Sequence, residues 1–200
     1  MEQELKLGLV HPEALDDLLA ALPRPRAVCE QTNHYFVDEA GHLASTRTML
    51  RVRESRPVDS GGPITVVLTV KRRLVATDGY FVAEETECAL DPAAWEDVRS
   101  GGRDLASLDA TPLAGLGVDT PLRCHGVMRN TRHVIACGGF TLEVDRTELP
   151  GGRVDAEVEV ETGDPEGARS LVQARAEAAG VALFPQTTGK YARFIASLAG

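Results

Sequence analysis

Residues 157–161 read Glu157-Val158-Glu159-Val160-Glu161. Charged and apolar side chains alternate with a period of two, which marks a β-strand with one charged and one apolar face. For a single strand, a solvated acidic face is the simpler reading. The pattern recurs, however, and with both signs. Acids share a parity at Glu2 and Glu4, at Glu85 and Glu87, and at Glu143 and Asp145. Bases share one at Arg51 and Arg53, and at Lys71 and Arg73. Like charges at i and i+2 point the same way and repel. A solubility surface mixes its signs along each strand. Segregated acidic and basic strands fit a cavity across which they face each other.

The rest of the chain supplies the strands for such a cavity. Met1–Val10, Val28–Asp38, Thr48–Glu54, Ile64–Arg73, Tyr80–Leu90, Leu122–Ala136, Phe140–Leu149 and Asp155–Thr162 all read as strands. Turn signals separate them at Ser60-Gly61-Gly62-Pro63, Thr77-Asp78-Gly79, Gly138-Gly139 and Pro150-Gly151-Gly152. Leu15, Leu18, Leu19 and Leu22 stripe one face of a helix over Ala14–Leu22. Asp91-Pro92 and Asp164-Pro165 open two more helices, ending near Arg99 and Ala179. Leu43–Arg47 reads as a short helical connection, Gly101–Pro121 as loop with at most one short helix, and Gly189–Leu198 as a final helix. About eight strands with tight turns and flanking helices predict an α+β protein built on an antiparallel barrel or sandwich.

If the sheet closes with the charged faces inward, its lumen becomes a polyelectrolyte tunnel, and because eight strands leave little interior room, long charged side chains fill much of it. The apolar parity then faces out and is covered by the leucine-striped helices. Sequestered charge requires compensating ions or ligands. Clustered carboxylates predict a hard divalent cation, Mg²⁺ or Mn²⁺. Clustered Arg and Lys predict a phosphate-rich anion, whose oxygens match the guanidinium fork.

Composition bounds this reading. The chain has 200 residues, a net charge of −9 and 43% apolar residues, which fits one domain over 1–200 with no need of a disulfide or metal staple. Net acidity argues against a general nucleic-acid binder. On its face it also argues against an anionic substrate, but net charge says nothing about a tunnel that concentrates the bases. The absence of a signal peptide or of an apolar run near ~20 residues predicts a cytoplasmic protein that does not engage a membrane. Cys29, Cys88, Cys124 and Cys137 lack metal-finger or redox spacing and read as reduced filler. The five histidines form no zinc motif.

Several segments together resemble the CYTH superfamily, the triphosphate tunnel metalloenzymes. Glu2-x-Glu4-x-Lys6 resembles the family's ExExK signature. Gln31-x-Asn33-x-Tyr35-Phe36, Leu50-Arg51-Val52-Arg53, Leu68-Thr69-Val70-Lys71 and Glu84-Glu85-Thr86-Glu87 follow in family order. So do Asn130-Thr131-Arg132, Leu142-Glu143-Val144-Asp145, residues 157–161 and Thr188-Gly189-Lys190-Tyr191-Ala192-Arg193. Asn130 departs from the pattern, since many members carry Lys there. Whether Arg129 or Arg132 faces the tunnel is left open by the spacing.

The resemblance implies a closed eight-stranded antiparallel β-barrel, a tunnel with a charged lumen and helices packed on the outside, and metal-dependent hydrolysis of a linear triphosphate, inorganic or organic such as thiamine triphosphate, by in-line attack of water. The metal ligands it implies are Glu2 and Glu4 together with Glu157, Glu159 and Glu161, the direct ligands among the last three being left open. Asp145 either binds a second metal or positions the water. Lys6, Arg51, Arg53, Lys71 and Lys190 would grip phosphate, with Arg73, Arg132 and Arg193 next; Glu4, Lys6, Asp145 and Lys190 would lie at the reacting centre. Glu85 and Glu87 would balance bases. The expected partner is a triphosphate-bearing small molecule, with no nucleic acid, and the chain would be a monomer or homodimer. Two competing functions are a class IV-type adenylate cyclase and a non-catalytic polyphosphate- or nucleotide-binding module.

Overall fold

The computed structural model describes residues 1–58, 61–118 and 120–198, without the side chains of Arg73 and Leu74. The turn expected at Ser60 and the side chain of Arg73 therefore lie outside the described residues.

Eight strands build the barrel: β1 (Glu2–Leu9), β2 (Ala27–Asp38), β3 (Thr48–Pro57), β4 (Thr65–Thr77), β5 (Tyr80–Ala89), β6 (Leu122–Cys137), β7 (Phe140–Glu148) and β8 (Val154–Glu161). They run antiparallel in the order β5-β4-β3-β2-β6-β7-β8-β1, and β1 pairs back onto β5 to close the sheet. Closure leaves part of one strand edge bare, because β5 covers only Glu2–Leu5 of β1. A three-residue strand, β9 (Leu183–Pro185), pairs with Leu7–Leu9 and covers the remainder. Three residues carry too little periodicity to be read in advance, so β9 was not expected.

The apolar parity faces outward into two clusters. Leu5, Leu7, Leu9, Val144, Val158 and Val160 pack against α1 (Leu15–Ala21) and α5 (Pro165–Ala178). Leu50, Val52, Leu68 and Val70 pack against Trp95 of α3 (Pro92–Arg99) and against Leu105 and Leu108. Each such side chain contributes roughly 1.5–3 kcal/mol when fully buried. Both long outer helices start where an aspartate meets a proline. Asp91 Oδ1 accepts from Ala93 N at 3.0 Å and Ala94 N at 2.9 Å, and Asp164 Oδ1 accepts from Gly167 N at 2.9 Å. Two four-residue helices, α2 (His42–Ser45) and α4 (Thr111–Ala114), fill connections. The Gly101–Pro121 stretch is less loop-like than expected. Besides α4 it holds a 3₁₀ turn at Leu105–Ser107, which Asp104 caps by accepting from Ala106 N and which buries Leu105.

The β4–β5 turn reaches the site's own strand. Gly79 O accepts from Lys6 N at 2.7 Å. At φ +78°, and with a Cβ there only 2.6 Å from Lys6 O, this position requires glycine. The last helix, α6 (Lys190–Leu198), turns inward. Its Phe194 and Tyr191 pack on Tyr35 with ring centroids 5.1 and 4.8 Å away, alongside Met128.

Candidate active site

Strand parity brings the charges together. On β1 the even positions Glu4 and Lys6 face the lumen and are buried, while Leu5 and Leu7 face the outer helices. Gln31, Asn33 and Tyr35 of β2, Arg51 and Arg53 of β3, Thr69 and Lys71 of β4, and Glu85 and Glu87 of β5 line the same interior. Asn130 and Arg132 of β6, Glu143 and Asp145 of β7, and Glu157 and Glu159 of β8 complete the ring. Ion pairs link strands that are not hydrogen-bonded neighbours, and the one between β4 and β1 requires the sheet to be closed. Lys71 of β4 reaches Glu4 of β1 at 2.7 Å, and Arg132 of β6 reaches Glu159 of β8 at 2.7 Å.

Two acidic groups stand out. Near the start of β1, Glu2, Glu4 and Glu85 converge on the Lys71 ammonium at 2.5, 2.7 and 3.3 Å. Burial pushes the Glu85 carboxyl up to about 7, with Lys71 opposing it and a hydrogen bond with Glu2 adding to it. Deeper in, Asp145, Glu157 and Glu159 are all buried, with one oxygen from each lying within 4.8 Å of the others. Asp145 is held by Arg132 through two bonds, Nε to Oδ1 at 2.8 Å and Nη2 to Oδ2 at 2.6 Å. Lys190 reaches Asp145 at 2.5 Å, Glu157 at 2.9 Å and Glu159 at 3.6 Å. Arg193 bonds Glu157 at 2.9 Å and Asp155 at 2.8 Å. Lys6 lies between Glu159 and Glu4, 2.9 Å from the latter. Burial would raise Asp145 and Glu159, but the surrounding cations more than offset it: Asp145 is held at about 2 and Glu159 well below the carboxylate range.

One base is different. Arg53 Nε donates to Asn33 Oδ1 at 2.9 Å, and among the described residues no acid lies within ion-pair distance of Arg53. Burial, together with the like charges of Arg51 and Arg132, lowers its guanidinium to about 10. Arg51, by contrast, donates to Thr69 Oγ1 at 3.0 Å and lies 3.6 Å from Glu87.

The structure thus gathers Glu2, Glu4, Lys6, Arg51, Arg53, Lys71, Arg132, Asp145, Glu157, Glu159, Lys190 and Arg193 around one lumen. Glu161 stands apart: it pairs in register with Glu4 but is exposed. The facing of β6 is settled, since Arg132 is buried against Asp145 while Arg129 is exposed on the outer parity. Glu85 and Glu87 contact Lys71 and Arg51. Gln31, Asn33 and Asn130 are buried lumen residues with no role assigned from sequence. Their shared i, i+2 parity with Tyr35 and Arg132 was the signal available.

The CYTH domain family model matches residues 1–188. The chain belongs to the CYTH domain family. Among solved CYTH-like structures it is similar to HpAC1 from Hippeastrum, an adenylyl cyclase candidate described as having a dominant triphosphatase activity. That likeness is 30% identity over 98% of this chain and 96% of that one, with a TM-score of 0.86. A candidate adenylate cyclase from Bacillus halodurans has 21% identity over 97% and 99% of the chains, with a TM-score of 0.68. The PH1819 protein of Pyrococcus horikoshii has 18% identity over 98% and 99%, with a TM-score of 0.64. The last two likenesses speak for the CYTH fold alone. Comparison with curated protein sequences returned no match. Among the described residues no helix is long and apolar enough to cross a membrane.

Proposed function

We propose that the protein hydrolyses a linear triphosphate, inorganic or organic, in a reaction that depends on Mg²⁺ or Mn²⁺. The observation that carries this reading is Arg53, a lumen guanidinium without an acidic partner among the described residues, set beside a lumen otherwise filled with matched acids and bases. A purely structural ion network pairs its cations. An unmatched guanidinium between two others suits an anion with several charges. The triphosphatase activity described for HpAC1, the 30% identical relative, supports the same class of reaction.

The donor chemistry fits a hard cation, since Asp145, Glu157 and Glu159 offer clustered carboxylate oxygens and no nitrogen or sulfur. Glu2, Glu4, Glu159 and Glu161 form the second set of candidate ligands around the β1–β8 pairing. These residues would hold a divalent cation, which would supply neutralisation of the charge developing on phosphate oxygens. The chain's own bases do the remaining positioning. Arg51, Arg53 and Lys71 would hold one end of the phosphate chain, and Lys6, Arg132, Lys190 and Arg193 the other; Arg73 is assigned to this set from sequence. In-line attack by water needs a water oriented opposite the leaving oxygen of the phosphoryl group, not a protein nucleophile. Asp145, held at about 2, is a weak base, so its role is to orient rather than to accept a proton.

A screen of inorganic triphosphate, thiamine triphosphate and ATP with each metal tests the proposal. Orthophosphate release from at least one substrate is the expected result. Cyclic AMP with pyrophosphate from ATP would instead establish a cyclase. Tight triphosphate binding without any product would establish a binding module.

A further inference from the structure

A chain of three side-chain amides crosses the lumen wall and ends on Arg53. Arg53 Nε donates to Asn33 Oδ1 at 2.9 Å, Asn33 Nδ2 donates to Asn130 Oδ1 at 2.8 Å, and Asn130 Nδ2 donates to Gln31 Oε1 at 3.0 Å. Asn33 is fully buried, and Gln31 and Asn130 nearly so, at 7% and 4% exposure. Strand register accounts for the contact: Asn33 lies opposite Arg53 on β3, and Gln31 opposite Asn130 on β6.

The chain has a direction. A guanidinium donates and never accepts, so Asn33 must turn its oxygen toward Arg53. That leaves the Asn33 amide nitrogen facing β6, where only an oxygen can receive it. Asn130 supplies the nearer oxygen, at 2.8 Å against 3.5 Å for the Met128 carbonyl, and its own nitrogen then needs the acceptor that Gln31 provides. Each amide is oriented by the next, and successive bonds polarise one another in a buried setting. Neutral amides do this without supplying a carboxylate. They hold the guanidinium by one nitrogen while leaving its charge unmatched.

We propose that Asn130 is a positioning residue that acts through Asn33 to fix Arg53, so that the two remaining nitrogens of its guanidinium are presented to a phosphate group. This inference rests on the reading of the lumen as a triphosphate site. A carboxylate in place of the amides would neutralise Arg53. An apolar side chain would leave Arg53 free to turn toward Asp145 or Glu143, the acids that flank Arg132.

The test is calorimetric binding of inorganic triphosphate in EDTA, where no turnover intrudes, to wild type, Asn130→Leu, Arg53→Met and the double variant. Asn130→Leu is expected to weaken binding about tenfold, the scale of one hydrogen bond to a charged group. Arg53→Met is expected to weaken it further, and the double variant to match Arg53→Met alone. Gln31→Met serves as a second variant should Asn130→Leu fold poorly, with a loss of about threefold that also vanishes in the Arg53→Met background. Additive losses in the double variant, or an unchanged affinity in both Asn130→Leu and Gln31→Met, overturn the relay while leaving the triphosphate reading intact. Failure of wild type to bind triphosphate in EDTA overturns the relay, whereas the triphosphate reading falls only if orthophosphate release with Mg²⁺ and Mn²⁺ also fails.

Discussion

The Lys190 ammonium lies 2.5 Å from Asp145 Oδ2, inside the cluster of acids best suited to hold a divalent cation. Lys190 is also the first residue of α6, and Arg193, one turn on, bonds Glu157 of the same cluster. The acids therefore anchor the inward-turned helix, and a cation entering among them competes with a resident ammonium. In Lys190→Met, two or three buried carboxylates lose compensation, a change that costs about 3 kcal/mol. Added Mg²⁺ should restore stability to this variant more than it stabilises wild type. Thermal unfolding with and without Mg²⁺ checks this; equal shifts in both proteins would contradict it.

Acid should weaken the same cluster in a defined window. Asp145 is held at about 2, below its ordinary 3.8; burial opposes this shift, and Arg132 and Lys190 produce it. A carboxyl with a depressed folded-state pKa contributes its full stability above 3.8 and loses it as pH falls through about 2. The loss is on the order of 2 kcal/mol. Urea unfolding at pH 5, 3.5 and 2.5 should show stability falling across that interval, with a shallower fall in Asp145→Asn.

Arg53 should behave in the opposite way. Its guanidinium is disfavoured by burial and by Arg51 and Arg132, so the free protein gains from losing that charge. Arg53→Met is expected to unfold at a temperature no lower than wild type while losing at least 100-fold in kcat/KM for triphosphate, about 2.7 kcal/mol of transition-state stabilisation. A variant that lost stability and activity together would mark Arg53 as structural.

Gly79→Ala tests the tie between the β4–β5 turn and β1. A Cβ at φ +78° meets Lys6 O at 2.6 Å, so the turn must move or Lys6 must shift. A loss of about 2 kcal/mol is expected in chemical unfolding.

Much of this architecture was legible in advance because strand parity is local. The like-charged pairs at Arg51 and Arg53, or at Glu157 and Glu159, declare a charged face from five residues of sequence, and Thr77-Asp78-Gly79 declares its own turn. What could not be read depends on closure. Lys71 meeting Glu4 requires strands far apart in sequence, near opposite ends of the open sheet, to come within one strand of each other at a particular height. Arg129 and Arg132 could be told apart only by the register of β6. The register shift opposite Tyr35 and Phe36 lies before that stretch, so Arg132 keeps the parity of Asn130 and faces inward. The inward turn of α6 was equally hidden. Its amphipathic pattern fits an outer helix; the resemblance alone pointed Lys190 and Arg193 at the site, and the ion pairs of both residues with Glu157, together with the packing of Phe194 on Tyr35, place the helix at the lumen.

Glu4 offers the most direct test, because it joins the two halves of the site. It contacts Lys6 at 2.9 Å and Lys71 at 2.7 Å, and it pairs in register with Glu161. The decisive measurement is orthophosphate release from inorganic triphosphate by wild type and Glu4→Gln, each with Mg²⁺, with Mn²⁺ and with EDTA, alongside a thermal melt of both proteins. Hydrolysis by wild type with metal, none in EDTA, and a folded Glu4→Gln that loses at least 100-fold in rate are expected for a metal-dependent triphosphatase. Undiminished turnover by Glu4→Gln, or wild-type turnover that persists in EDTA, would contradict it.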